Sequence, residues 1–99
     1  MGALELDLQN GFDGFEVVVH VDDEVVLRKV GVKTRYQIGL AETCKLDLET
    51  GTHSVRVCLV DHDAEASVLI DPDKTPYLGL NFDKGHLEFT PSAEPFHYL

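Results

Sequence analysis

Apolar and polar residues alternate along nearly the whole chain, and short turns rich in Gly, Asn and Asp interrupt the alternation. A period of two predicts strands rather than helices. Leu4, Leu6 and Leu8 alternate with Glu5, Asp7 and Gln9, ending at the turn signals Asn10-Gly11 and Asp13-Gly14. Phe15, Val17, Val19 and Val21 form the inward set of a second strand, Asp22-Asp23-Glu24 makes a tight polar turn, and Val25 to Val30 returns as the hairpin partner. Further strands are expected at Thr34 to Leu40, Thr43 to Leu48, His53 to Val60, Glu65 to Ile70, Tyr77 to Phe82 and His86 to Thr90. A hairpin turning at Glu49-Thr50-Gly51-Thr52 should set Asp47 opposite Arg56, because a slip of two would oppose Lys45 and Arg56.

Eight or nine short strands, with no helical pattern longer than a turn, predict an all-β, antiparallel two-sheet β-sandwich. Immunoglobulin-like and transthyretin-like topologies are the expected types, and a closed barrel is the alternative. Residues 1–90 read as one sandwich domain and 91–99 as a tail that Pro91 and Pro95 keep extended. Ninety-nine residues suffice for one core, and a hydrophobic fraction of 43 % lies well above the composition of disordered chains.

The formal net charge of −10 opposes encounter with phosphate backbones and anionic lipid, so neither nucleic acid nor a membrane is expected as a partner. Four of the eight basic residues, Arg28, Lys29, Lys33 and Arg35, nonetheless fall in one short stretch. Such a basic island steers an acidic partner, or else neutralises carboxylates on adjoining strands. The N-terminal segment has no basic region followed by an apolar run, and Leu6 stands where a myristoylation signal takes Ser or Thr. Cys44 shares a face with Leu46 and Leu48, whereas Cys58 alternates out of the set Val55, Val57 and Leu59. Opposite faces forbid a disulfide, which predicts two free thiols and a reducing, cytoplasmic location.

Val17-Val18-Val19 and Val25-Val26-Leu27 are apolar on both faces, so a cover is expected over the second face. The C-terminal tail with Phe96, Tyr98 and Leu99, a second copy of the chain, or another protein would supply it. The expected interaction surface therefore comprises Val18, His20, Val26, Arg28, Lys33 and Arg35, with Phe96 and Tyr98. Asp61, Asp63 and Glu65 bracket His62 at intervals of two, and with Asp71 and Asp73 they could offer oxygen ligands to Ca2+ if the two loops meet. The loop lacks the glycine and the length of a helix-flanked calcium site. No pair of the five histidines has zinc spacing, and Ser54 and Ser67, which could join Asp61 and His62 on paper, lack a Gly-flanked elbow. Without Trp, the aromatic residues do not recur on one face as a sugar platform requires.

The stretch from Phe12 to Val25 followed by Gly51 to Val57 resembles PEGA and carboxypeptidase-regulatory-like sandwich modules, in which a V-x-V-D-G-x-x-V hairpin precedes a G-x-H-x-V-x-V strand. In this chain Asp23 takes the place of the turn glycine. The segments G-F-D-G, G-V-x-T-R (Gly31 to Arg35) and E-P-F-x-Y-L (Glu94 to Leu99) also resemble a group of small bacterial proteins to which no activity is assigned. The residues together point to a non-catalytic protein-interaction or binding module, its partner an unknown protein or a second copy. A calcium- or small-ligand-binding sandwich using loops 61–65 and 71–73 is the alternative.

Overall fold

The computed structural model describes residues 2–35 and 37–96. Among the described residues eight strands are present: β1 (Gly2–Leu8), β2 (Asp13–Val21), β3 (Glu24–Lys33), β4 (Glu42–Leu48), β5 (His53–Leu59), β6 (Ala64–Ile70), β7 (Tyr77–Asp83) and β8 (His86–Ser92). They form two four-stranded sheets, ordered β4-β1-β7-β8 and β3-β2-β5-β6, packed face to face as a β-sandwich. No helix among the described residues is long and apolar enough to cross a membrane.

Alternation builds the core directly. Leu4, Leu6 and Leu8 of β1 and Leu78 and Leu80 of β7 are fully buried against Val19, Val55 and Val57 of the facing sheet. Phe12 plugs the end where the chain passes from one sheet to the other. Burying such side chains is the main favourable term in folding, at about 25 cal/mol per Å2 of apolar surface removed from water. At this passage Gly11 has φ +91°, and a Cβ there would lie 1.8 Å from the Phe82 carbonyl oxygen, so only glycine fits.

Several sequence expectations require correction. The Glu49–Thr52 segment is a crossover, not a hairpin: β4 pairs with β1, while β5 pairs with β2 and β6. Asp47 consequently stands opposite Ala3, and Arg56 opposite His20 and Ser67. Local charge matching did not set the pairing: Leu46 and Leu48 of β4 and Val55, Val57 and Leu59 of β5 pack into the one core from opposite sheets. The pairing is also not wholly antiparallel, since β1 and β7 run parallel from Glu5↔Tyr77 to Leu8↔Leu80. Residues 34, 35 and 37–40 do not belong to a ninth strand among the described residues. β3 continues to Lys33, and beyond it Arg35 and Leu40 form an isolated bridge around a turn in which the Arg35 carbonyl accepts the Ile38 and Gly39 N–H groups. β8 runs two residues into the expected tail, with Pro91 on an edge strand where a missing N–H is tolerated.

The Asp22-Asp23 turn is as expected, with Val21 paired to Glu24 and φ of 51° and 69° at the two aspartates. Two positive φ values make this the tight hairpin turn that matches strand twist. Asp22 tolerates it through contacts: its carboxylate accepts the Ser54 N–H at 3.0 Å, and its own N–H donates to the Ser54 carbonyl at 2.9 Å. Both cysteines are free, Cys44 facing the core and Cys58 the outer surface of the other sheet. The strand parity read from sequence thus holds, although the hairpin used to argue it does not exist.

Candidate interaction surface and edge groove

The expected interaction residues divide between two places. Val18, His20 and Arg28 lie on the outer face of the β3-β2-β5-β6 sheet, where Val18 stands between Arg28 and Cys58, and His20 between Val25 and Arg56. Val18 is only 5 % exposed. Cross-strand neighbours on one face sit about 4.5–5.5 Å apart, so Arg28 and Cys58 beside it, with Glu16 and His20 along its own strand, enclose the valine without an external cover. Polar pairs surround it, Arg28 to Glu16 at 3.5 Å and Arg56 to Glu65 at 3.9 Å. Among the described residues the exposed large hydrophobics are Val25, Val26 and Val30 along the β3 edge, with Leu69 on β6 and Val60 just before it, so no contiguous apolar face surrounds Val18.

The tail does not leave from beside that edge. It follows β8, at the far side of the opposite sheet, and β8 approaches β6 rather than β3. Phe96 is half-buried, while Tyr98 and Leu99 lie outside the described residues.

Lys33 and Arg35 belong to a second place. Together with Lys29 they line an open groove of about 410 Å3 between the end of β3 and the start of β4 at Ala41 and Glu42. Two irregularities in β3 shape it. Val26 is an extra residue between Leu27 and Val25, and Val30-Gly31 are accommodated where Phe15↔Val32 is followed by Val17↔Lys29. Lys29, opposite the inward-facing Val17 and two residues from Leu27, points inward across the sandwich edge, where its ammonium lies 3.7 Å from Glu42. Lys33 and Arg35 make no ion pair among the described residues. The groove's end is pinned by Thr34, 2 % exposed, whose hydroxyl donates to the Gln9 carbonyl at 2.6 Å and accepts the Phe12 N–H at 3.0 Å.

The five candidate metal ligands are not brought together. Asp61 and Asp63 precede β6 and Asp71 and Asp73 follow it, which sets the two loops roughly 20 Å apart along a seven-residue strand. Asp61 accepts the Glu16 N–H at 2.8 Å, Glu65 faces Arg56 and Cys58, and Asp71 caps its own turn by accepting the Asp73 N–H at 3.0 Å. No three His, Cys, Asp or Glu side chains converge as a metal site among the described residues. His62 packs between Phe15 and Phe82, its ring centroid 4.2 Å and 5.6 Å from theirs, beneath the Asp61 turn.

His53 is the titratable centre that sequence reasoning missed. Its Nδ1 lies 2.6 Å from an Asp22 carboxylate oxygen and its Nε2 2.7 Å from the Glu49 carbonyl. Both partners only accept, so both contacts are hydrogen bonds only when the ring carries two protons. The Asp22 contact first, then the Glu49 carbonyl, raises the His53 pKa, and His53 in turn lowers that of Asp22. The pair fastens the β2–β3 turn to the crossover between the sheets. His53 was visible in the G-x-H-x-V-x-V segment, but its partner is 31 residues away and only strand order unites them.

No family model matches the chain, and no curated protein or solved structure matches it either.

Proposed function

We propose that this chain is a non-catalytic protein-interaction module whose contact surface is the β3 edge. The observation that carries the reading is the gathering of Lys29, Lys33 and Arg35 around one open groove on a chain of net charge −10. Complementary charge confined to one patch raises encounter rates there and repels the same partner elsewhere. Exposed Val25, Val26 and Val30 on the same strand supply apolar contact beside that charge.

We read the topology as transthyretin-like. In support, β1 lies between β4 and β7, whereas an immunoglobulin sheet sets its first strand beside its second. Two free thiols accord with a reducing cytoplasm. Reversing Arg28 and Arg35 to Glu together should abolish capture of the partner that the wild-type chain retains from lysate. Equal capture by the two proteins would refute the reading.

A further inference from the structure

We infer that the groove between β3 and β4 takes an extended acidic segment of a different protein, its carboxylates resting on Lys33 and Arg35. The inference rests on the reading of the β3 edge as the contact surface and specifies what that edge recognises. Both walls are sheet edges: among the described residues β3 pairs only with β2, and β4 only with β1. An extended peptide can therefore hydrogen-bond along β3 as an added strand. The groove follows β3 and the residues after it from Lys29 to Arg35. Seven positions at about 3.3 Å each accommodate a segment of roughly six or seven residues.

Charge decides what kind of segment fits. Lys29 is engaged by Glu42, leaving Lys33 and Arg35 to receive external carboxylates. A second copy pairing through the same edge would lay two strands that each carry Arg28, Lys29 and Lys33 side by side, and like charges brought close across a strand pair are destabilising. The irregularity at Val30-Gly31 has a complementary effect. Gly31 has φ +72° with open space where a Cβ would stand, and the broken ladder there interrupts backbone pairing for any added strand, so side-chain charge has to supply part of the recognition. Selection thus falls on segments whose acidic side chains engage the two basic residues next to the bulge.

The test is a titration of the full chain against a fluorescently labelled peptide of alternating Glu and Thr, read by anisotropy, with an alternating Lys and Thr peptide as control. The acidic peptide should bind and the basic one should not, and binding should weaken as salt is raised. Lys33→Glu with Arg35→Glu should lower affinity about tenfold or more, Lys33→Gln with Arg35→Gln by less, and Arg28→Glu, on the outer face, by under about twofold. Thermal melts establish that each variant is folded. Failure of the wild-type chain to bind the acidic peptide, or equal binding by the doubly reversed variant, would overturn the inference. If lysate capture is still lost on reversing Arg28 and Arg35, the β3 reading survives that failure; if capture is unchanged, both fall. Light scattering covers the other occupant: a dimer that becomes a monomer on reversing Lys33 and Arg35 would assign the groove to a second copy and overturn the inference.

Discussion

The two long sides of the sandwich differ in how their edge strands meet. On one side β6 and β8 approach each other, and Ala64, Val68, Leu87 and Phe89 pack against the core from the two edges. On the other, β3 and β4 flank a groove bridged by the Lys29–Glu42 pair, whose side chains are 43 % and 39 % exposed. Exposed ion pairs contribute little, typically under about 1 kcal/mol, so although Leu27, Ala41 and Leu46 also pack against the core on the second side, its two edge strands are not drawn together as β6 and β8 are. The difference teaches where this small domain can afford variable chemistry. Charge and backbone irregularity on the β3 side cost the core little, because the residues beneath it, Val32 and Cys44, are already buried by their own sheets.

Several substitutions test that contrast. Ile70→Ala, at a 4 % exposed position on β6, should cost about 2–5 kcal/mol, whereas Val30→Ala, at 79 % exposure on β3, should stay within about 0.5 kcal/mol. Urea unfolding midpoints measure both, and similar losses would mean that the two sides are equally packed. Thr34→Val should cost about 1–3 kcal/mol in the same assay, because it leaves the Phe12 N–H buried without its acceptor. A smaller loss would mean that the groove's end is held by something other than this hydroxyl.

Stability should also depend on pH through the His53–Asp22 fastening. A histidine with a raised folded pKa contributes fully below its unfolded value, about 6.5, and loses that contribution as pH rises through the folded value. Asp22, with a lowered pKa, contributes above about 3.9 and loses its contribution as pH falls through the folded value. The fastening is therefore strongest from about pH 4 to 6.5. Melting temperature should decline above that window in the wild-type chain, and His53→Gln should flatten the decline; an unchanged slope in the variant would place the titration elsewhere. The smallest effect concerns the thiols. Cys44 is 6 % exposed and burial pushes its pKa up to about 11, so in the native state a thiol reagent should modify Cys58 well before Cys44. Equal rates would show that the β4 side opens locally.

Much of the core was legible because alternation is a local property. Leu4, Leu6 and Leu8, and likewise Val17, Val19 and Val21, face inward whatever strands lie beside them. The site was legible in part: the basic island was evident, but its division into Arg28 on a sheet face and Lys33 and Arg35 on a groove was not. That division follows from position along β3: Arg28 sits opposite Val18 within the sheet, whereas Lys33 and Arg35 lie at the strand's end and just beyond it, beside Ala41 and Glu42. The strand expected over Thr34 to Leu40 is replaced by a turn closed by the Arg35–Leu40 bridge, in which the Arg35 carbonyl accepts the Ile38 and Gly39 N–H groups, a closure that alternation does not report.

By itself, the sequence determined the all-β class, most strand positions, the inward faces and the opposed orientation of the two cysteines, since each depends on the two-residue repeat of a pleated strand. Partner choice between strands was decided only by the tertiary structure. Whether β4 continues into a hairpin or crosses to the other sheet is settled by the total apolar area that two four-stranded layers bury, a sum over residues far apart in the chain. The same long-range choice separated the acidic loops 61–65 and 71–73, joined His53 to Asp22, and left β3 and β4 as the walls of a basic groove.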